Sequence, residues 1–257
     1  MKIVRFSHGA RGEYGILYED AVRGIEGSPF EEITETNRYY RLSDLKLLAP
    51  CQPSKIVALG VNYHSHSDEM NHAPPDEPLI FIKPSTAVAG PEDGIVYPPS
   101  SARVDYEGEL GVVIKSVTRQ VSPETAKNYI LGYTCVNDVT ARDLQAKDKQ
   151  WTRAKGFDTF CPIGPCIETE ISPYDLPLET RLNGIIKQQA RTSQLIFPVY
   201  ELVSFVSHIM TLLPGDIIST GTPGGIGPMQ PGDTVEVKIE GIGTLRNYVI
   251  RHEIDPK

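Results

Sequence analysis

The stretch DYEGELG, residues 105–111, leads directly into the apolar run VVI, and together they predict a strand from Asp105 to Val117. Because side chains alternate between the two faces of a strand, Glu107 and Glu109 point the same way. Two adjacent carboxylates at the entrance to a core are unfavourable unless a cation lies between them. Carboxylate oxygens favour hard divalent ions, so a metal site is one interpretation. The other is a pair of solvated glutamates that protects an edge strand from aggregation.

The composition limits the classes of function that fit this chain. Its 257 residues, of which 40% are hydrophobic and 23% charged, suit one large domain or a large and a small one. The formal net charge of −8 argues against nucleic acid or an anionic membrane as the main partner. No apolar run approaches the ~20 residues of a membrane helix, and the first residues lack a signal-peptide core. We therefore expect a cytoplasmic protein.

Glycine and proline content points to the architecture. The 22 glycines and 21 prolines imply many turns and short strands, so we expect an α+β fold that is predominantly β. Pro50 and Pro53 mark a boundary. They separate a small N-terminal β unit, residues 1–50, from a catalytic unit, residues 51–257.

Three local patterns predict particular elements. Asn183-Gly184, between two alternating runs, is the strongest hairpin signal in the chain. Apolar residues at helical spacing predict an amphipathic helix from Val199 to Leu213. Thr140 is expected to cap a short helix that runs to Gln145.

The cysteines are Cys51, Cys135, Cys161 and Cys166. A long chain that is not exported has little use for a disulfide framework. Cys161 and Cys166 are separated by a spacing that is wide for a pair of zinc ligands, and no second pair of ligands accompanies them. We therefore expect four buried free thiols.

Asp138 is the third carboxylate that we group with Glu107 and Glu109. It lies where a buried strand is expected to meet the N-terminus of a helix. Three carboxylates together with water molecules would make an octahedral oxygen site. Taken alone, an aspartate in that place is more simply a helix cap.

His66 and Glu69 have the i, i+3 spacing that brings two side chains onto one face of a helical turn. An imidazole held by a carboxylate is a general base that activates water near neutral pH. The plainer interpretation is a solvated loop with scattered histidines, His64, His66 and His72. The prolines that follow suggest a lid in either case.

Four further side chains are candidates for contacting a substrate. Arg142 and Gln145 also have i, i+3 spacing. The Arg142 side chain is suited to bind a substrate carboxylate, and that of Gln145 to donate a hydrogen bond to an oxyanion. The plainer interpretation is a surface helix with local ion pairs. Lys155 lies between aromatic residues, and a partly desolvated lysine steadies an anion or enolate. Thr222 is the hydroxyl of the glycine-rich loop 221–227, which lacks the pattern of a P-loop or a Rossmann turn.

These features together resemble the fumarylacetoacetate hydrolase superfamily over about residues 55–250. The resemblance rests on GVNY (60–63) with His66 and Glu69, FIKP (81–84), DYEGEL (105–110), DVTARD (138–143), KGFD (155–158) and GTP (221–223). It implies a mixed β-sheet roll with few short helices, usually a homodimer. The length of the chain is similar to that of the smaller branch, which acts on acylpyruvates, oxaloacetate or hydroxymuconate-type diacids.

The resemblance also assigns roles to residues. It implies that Mg²⁺ or Mn²⁺, with Ca²⁺ as a further option, is held by Glu107, Glu109 and Asp138. It implies that His66 and Glu69 are the acid–base pair on a lid. Substrate-contacting positions fall on Tyr63, Lys83, Arg142, Gln145, Lys155 and Thr222. Gly108 stands where a larger residue is common, so we expect a reshaped pocket floor.

The resemblance implies a hydrolase that cleaves a carbon–carbon bond in a 2,4-dioxo acid and releases pyruvate as an enolate held by the metal. The same site would also suit an isomerase or tautomerase, or a decarboxylase, acting on a 2-oxo or hydroxymuconate diacid. A catalytically silent protein that binds a metal and an oxo acid is the alternative from another class.

Overall fold

The computed structural model describes residues 1–7, 12–69 and 73–252. Strands dominate it and the helices are few and short, which confirms the expected predominantly β fold. The first part of the chain contains strands β1 (Lys2–Ser7), β2 (Gly12–Tyr18), β3 (Ala21–Glu26), β4 (Thr34–Arg41) and β5 (Lys46–Leu48). The next part contains β6 (Lys55–Leu59), helix α1 (His64–Glu69), β7 (Ile80–Pro84), β8 (Val88–Ala89), β9 (Gly94–Tyr97), β10 (Val104–Tyr106) and β11 (Gly108–Ile114).

The second half of the chain supplies the remaining elements. Its first elements are α2 (Pro123–Ala126), β12 (Ile130–Asn137), β13 (Thr140–Ala141), α3 (Arg142–Asp148), α4 (Thr152–Lys155) and β14 (Cys161–Glu168). Its last are β15 (Pro177–Leu182), β16 (Ile185–Arg191), α5 (Val199–Ile209), β17 (Ile217–Ser219), β18 (Gly227–Met229), β19 (Thr234–Ile239) and β20 (Gly243–Arg251). Short 3₁₀ turns cover Leu42–Asp44, Ser85–Ala87, Lys127–Tyr129 and Thr192–Gln194.

Three sheets organise these strands. The large sheet has the order β4-β3-β2-β1-β14-β12-β11-β17-β6-β7, with β5 beside β1 and β8 beside β14. A five-stranded sheet has the order β16-β15-β19-β20-β9, and a three-stranded sheet the order β13-β10-β18. The strands of residues 1–50 extend the large sheet, because β1 pairs with β14 through Lys2↔Glu168 and Ile3↔Ile167. Ile3, Val4 and Phe6 are fully buried there.

The prediction of one continuous strand from Asp105 to Val117 is wrong. The stretch forms two strands, β10 and β11, which belong to different sheets. β10 pairs with β18 in the three-stranded sheet, whereas β11 pairs with β12 and β17 in the large sheet. The break falls at Glu107, whose backbone N–H donates to the side chain of Asn137 (2.9 Å) instead of to a ladder carbonyl. The chain therefore changes sheets at the first candidate ligand.

Two helix predictions need correction. α5 ends at Ile209 and not at Leu213, because Met210 is extended and Leu212 exchanges two backbone hydrogen bonds of 2.9 Å with Thr118. The side chain of Thr140 does not cap α3. It donates to the carbonyl of Asp138 (2.9 Å), and Ala141 precedes the helix without a side-chain cap.

Other local predictions are confirmed. Asn183 and Gly184 connect β15 to β16 as a two-residue hairpin turn, both at positive φ. All four cysteines are buried free thiols. Among the helices of the described ranges, none combines the length and the apolar character needed to cross a membrane.

Candidate active site

Three buried carboxylates converge at the ends of β11 and β12. One oxygen from each of Glu107, Glu109 and Asp138 lies within 4.8 Å of the others. Pairing of Gly108 with Asn137 sets the register, and the Asp138 N–H continues it by donating to the Glu107 carbonyl (2.8 Å). The alternation of side chains along one strand and the pairing of the next therefore place all three ligand candidates together.

Glu109 has the most unusual surroundings of the three. Its Oε2 accepts hydrogen bonds from the Ser219 hydroxyl (2.6 Å) and the Gly221 N–H (2.8 Å). Its Oε1 is buried and has no hydrogen-bond partner among the described residues. Burial, together with the charges of Asp138 and Glu107, raises the pKa of Glu109 to about 8. An orphaned buried acceptor between two carboxylates fits a bound divalent cation.

Two lysines neutralise the other carboxylates. The Lys155 ammonium, on α4, donates to Glu107 Oε2 (2.8 Å) and Asp138 Oδ2 (2.6 Å). Lys83, on β7, donates to Asp138 Oδ1 (2.5 Å) and to the Val139 carbonyl (3.1 Å). Burial alone would raise the pKa of Glu107, but the positive charges of Lys155 and Arg142 hold it well below its usual range.

Arg142 connects the carboxylate centre to helix α3. Its Nε donates to Asp105 (2.9 Å), one terminal nitrogen to Glu107, and the other to Gln145 Oε1 (2.6 Å). The expected shared face of Arg142 and Gln145 is therefore present. Asp105, which is fully buried and also paired with Arg103, was not among the expected site residues. A signal was present, since residues 105, 107 and 109 share one face in the continuous strand that the sequence predicts.

The candidate acid–base pair forms a helical turn, α1. His66 Nδ1 lies 3.4 Å from Glu69 Oε2, and His66 is buried. The Gly225 N–H donates to both carboxylate oxygens of Glu69 at 3.2 Å, and the Gly224 N–H donates to the Ser65 hydroxyl (3.1 Å). The glycine-rich loop thus holds this turn by its backbone. His72 lies outside the described residues.

A cavity of about 430 Å³ joins these groups. Its lining residues are Gly60, Val61, His66, Glu107, Arg142, Gln145, Ala146, Trp151 and Lys155. One candidate ligand, the candidate base and three candidate substrate contacts therefore face one space.

The remaining candidates lie around this cavity and do not line it. Lys83 lies behind Asp138 and is fully buried. The Thr222 hydroxyl donates to the Gly108 carbonyl (3.0 Å) and accepts from Gln188 Nε2 (2.8 Å). The Tyr63 hydroxyl is buried with no partner among the described residues, and burial followed by the charge of Glu109 raises its pKa.

Gly108 does not reshape a pocket floor, which corrects our expectation. A Cβ at this position would collide with the Thr180 hydroxyl and lie 3.3 Å from Gln188 Oε1, on the side of the five-stranded sheet. Gln188, which sequence reasoning missed, accepts from the Gly108 N–H (3.0 Å). Glycine is thus needed for close approach of two sheets.

A buried carboxylate triad beside a cavity with a base and two cations defines a candidate metal-dependent enzyme. The C-terminal family of fumarylacetoacetate (FAA) hydrolase matches residues 55–250, so the chain belongs to this family. A second family, described as Rv2993c-like, N-terminal, matches residues 1–50.

Curated relatives agree with this assignment. Protein Rv2993c of Mycobacterium tuberculosis is 51% identical to this chain, over 93% of the chain and 92% of the relative. A Bos taurus protein named oxaloacetate tautomerase FAHD2A, mitochondrial, is 42% identical, over 81% of the chain and 70% of the relative.

Solved structures share the whole fold. The crystal structure of 2-hydroxyhepta-2,4-diene-1,7-dioate isomerase from Mycobacterium marinum has a TM-score of 0.92 and 45% identity, with all of both chains covered. That of maleylpyruvate hydrolase from Sphingobium sp. SYK-6, in complex with manganese(II) and pyruvate, has a TM-score of 0.82 and 28% identity, over 98% of this chain and 100% of the other. The enzymatic names of these neighbours support an enzyme and not a silent binding protein.

Proposed function

We propose that this enzyme is a divalent-metal-dependent hydrolase that cleaves the carbon–carbon bond of a 2,4-dioxo acid of the acylpyruvate type. The observation that carries the proposal is the single cavity that joins Glu107 of the carboxylate triad to His66, Lys155 and Gln145. Hydrolysis needs a base for water, donors for an oxyanion and a site for the oxo acid, and each has a competent residue here.

Glu107, Glu109 and Asp138 are the residues that would hold Mg²⁺ or Mn²⁺. A divalent ion there would supply Lewis-acid stabilisation of the negative charge that develops on the oxygens of the oxo acid. The manganese(II) and pyruvate in the maleylpyruvate hydrolase structure support this class of cofactor and product.

The protein's own residues carry the proton and charge transfers. His66, oriented by Glu69, takes a proton from water, and the oxygen of that water attacks the distal carbonyl of the substrate. Lys155 and Gln145 donate hydrogen bonds to the oxyanion that forms. When the carbon–carbon bond breaks, its electron pair stays with the three-carbon fragment, which becomes pyruvate on protonation. The acyl fragment leaves as a carboxylic acid.

The alternatives differ in their products. An isomerase or tautomerase returns the proton to another carbon or oxygen without using water, and a decarboxylase releases CO₂. The names of the relatives include both isomerases and a tautomerase. Incubation of the Mg²⁺-loaded protein with acetylpyruvate, oxaloacetate and a hydroxymuconate diacid tests these options. We expect equimolar acetate and pyruvate from acetylpyruvate; conversion of only the other two compounds would reject the proposal.

A homodimer is part of the proposal. Ile82, on the edge strand β7, and Leu79 beside it are about half exposed, as apolar residues at an interface between copies would be in an isolated chain. Light scattering after size-exclusion chromatography measures the mass directly, and a mass of about 28.4 kDa would reject the dimer.

A further inference from the structure

We propose that the cavity selects oxo acids whose far end is uncharged and apolar, and that it discriminates against substrates that carry a second carboxylate there. The inference rests on the proposed function only for the reacting end of the substrate. It concerns the apolar part of the cavity lining, Val61, Ala146 and Trp151, which we assign to the far end of the substrate.

The first support is that no lining cation is left for a second carboxylate. Among the residues that line the cavity, the lysine and arginine side chains are Lys155 and Arg142. Lys155 contacts Glu107 and Asp138, and Arg142 contacts Glu107 and Asp105. Each is therefore already shared by two carboxylates, and Lys155 is also assigned to the oxyanion. A second carboxylate would be desolvated without a counter-ion, which is strongly unfavourable.

The second support is that this part of the lining is apolar and includes the Trp151 ring. A Cβ on Gly60 would lie 3.0 Å from the Trp151 ring, so the indole covers this glycine closely. The Phe81 ring meets the Trp151 ring edge to face, with the centroids 5.2 Å apart. These contacts hold the indole in place as a surface for a hydrocarbon chain or ring.

The third support is the charge of the segment that carries the candidate base. Residues 64–79 contain Asp68, Glu69, Asp76 and Glu77 and neither lysine nor arginine. His66, at the start of this segment, lines the cavity. Glu69, whose Oε2 lies 3.4 Å from His66 Nδ1, therefore places a negative charge beside the cavity, which repels a second carboxylate and leaves a neutral chain unaffected.

The test compares two ligands of equal length by titration calorimetry with the Mg²⁺-loaded protein. The ligands are 2-oxohexanoate and 2-oxoadipate, which differ in the carboxylate at the far end. We expect 2-oxohexanoate to bind roughly tenfold more tightly or better. Equal or tighter binding of 2-oxoadipate would overturn the inference, and so would failure of both ligands to bind.

Variants of the lining residues show whether the apolar part of the lining is responsible for the preference for a neutral far end. Ala146 is exposed on α3, and Ala146→Arg should remove most of the preference by adding a cation there. Asn128→Arg adds the same charge at an exposed residue outside the cavity lining and should leave the preference unchanged. An unchanged preference in Ala146→Arg, or an equal loss in both variants, would contradict the assignment.

The contribution of Trp151 has its own measurement. In the series pyruvate, 2-oxobutanoate, 2-oxopentanoate and 2-oxohexanoate, the affinity should rise about fourfold per methylene that packs on the indole. In Trp151→Ser this rise should flatten, while the affinity for pyruvate stays the same. A parallel rise in both proteins would exclude the indole as the contact surface. Because these measurements need no turnover, a lack of carbon–carbon cleavage would reject the proposed function and leave this inference standing.

Discussion

The carboxylate centre and the turn α1 are built in opposite ways. Glu109 and Asp138 are fully buried, and their neighbours on two paired strands fix their positions. The side chain of Glu69 on α1 is 33% exposed and is held by one backbone N–H at 3.2 Å from each oxygen. Binding of an ion needs a fixed geometry, whereas entry of substrate and water needs a segment that opens at little energetic cost.

The largest effect is expected in the carboxylate centre. Glu107→Gln combined with Glu109→Gln keeps the shape of both side chains but removes two candidate carboxylate ligands from the centre. We expect loss of divalent-metal binding and a fall in kcat of ~10³-fold or more, since several kcal/mol of charge stabilisation are lost. Calorimetry with Mn²⁺ and a kinetic assay measure the two effects.

The control is Glu26→Gln, at an exposed glutamate of β3, which should change neither quantity. Full activity in the double variant would show that the centre is not the metal site.

The next largest effect distinguishes loss of the general base from loss of metal binding. His66→Gln should lower kcat by ~10²–10⁴-fold because the general base is lost, while Mn²⁺ affinity stays unchanged. His64 lies on the same turn but is exposed, so His64→Gln is a matched control. If both histidine variants lose equal activity, the turn acts as a structural unit and His66 is not the base.

A smaller effect is expected from the contact between α1 and the glycine-rich loop. Glu69→Gln replaces a charged acceptor of the Gly225 N–H with a neutral one and weakens the orientation of His66. We expect kcat to fall ~10-fold or more, in keeping with roughly 1.5–3 kcal/mol for a hydrogen bond to a charged group. Asp68→Asn, at the exposed neighbouring residue, should be neutral. Steady-state kinetics that respond equally to both changes would contradict the role of this contact.

The smallest effect is expected on the stability of the fold, at Asp216, and leaves catalysis intact. Asp216 accepts hydrogen bonds from Ser54, Lys55 and Leu213, and ties β6 and β17 together at their start. Burial would raise its pKa, but these hydrogen bonds and the Lys55 charge keep it below the ordinary value of 3.8. A lowered pKa in the folded state stabilises the protein above the pKa of the unfolded state, and this stability is lost as the pH falls through the folded value.

Asp216→Asn should therefore reduce the free energy of unfolding by ~1–3 kcal/mol at pH 7, where the loss of the charged acceptor is fully felt. The difference between the variant and the native protein should shrink as the pH falls below 3.8, and it should vanish only below the lowered pKa of folded Asp216. Urea unfolding of both proteins at pH 7 and at pH 3.5 measures the difference in their free energy of unfolding at each pH. A difference that grows on acidification would show that the carboxylate is not the stabilising form.

Sequence reasoning reached the features that depend on local spacing. Alternation brought Glu107 and Glu109 together, and the i, i+3 rule paired His66 with Glu69 and Arg142 with Gln145. The predominantly β architecture followed from the turn-forming residues. These relations need only the geometry of one strand or one helical turn.

The missed features depend on contacts between distant parts of the chain. Ser219 bonds Glu109 across 110 positions, and Gln188 bonds Gly108 across 80. Nothing in the spacing of one strand reveals which side chain a distant strand brings against it. For the same reason the hydrogen bonds that join the Thr222 hydroxyl to Gly108 and Gln188 were not foreseen.

The hydrogen bonds from Ser219 and Gly221 to Glu109 also determine when the centre is completed during synthesis. Glu109 leaves the ribosome more than a hundred residues before Gly221, so its carboxylate has neither of these donors while the intervening chain is being made. A nascent chain that ends before residue 219 therefore presents the acidic residues without the groups that orient Glu109. Completion of the carboxylate centre is accordingly a late step in the biogenesis of this protein, reached only when most of the C-terminal half has emerged.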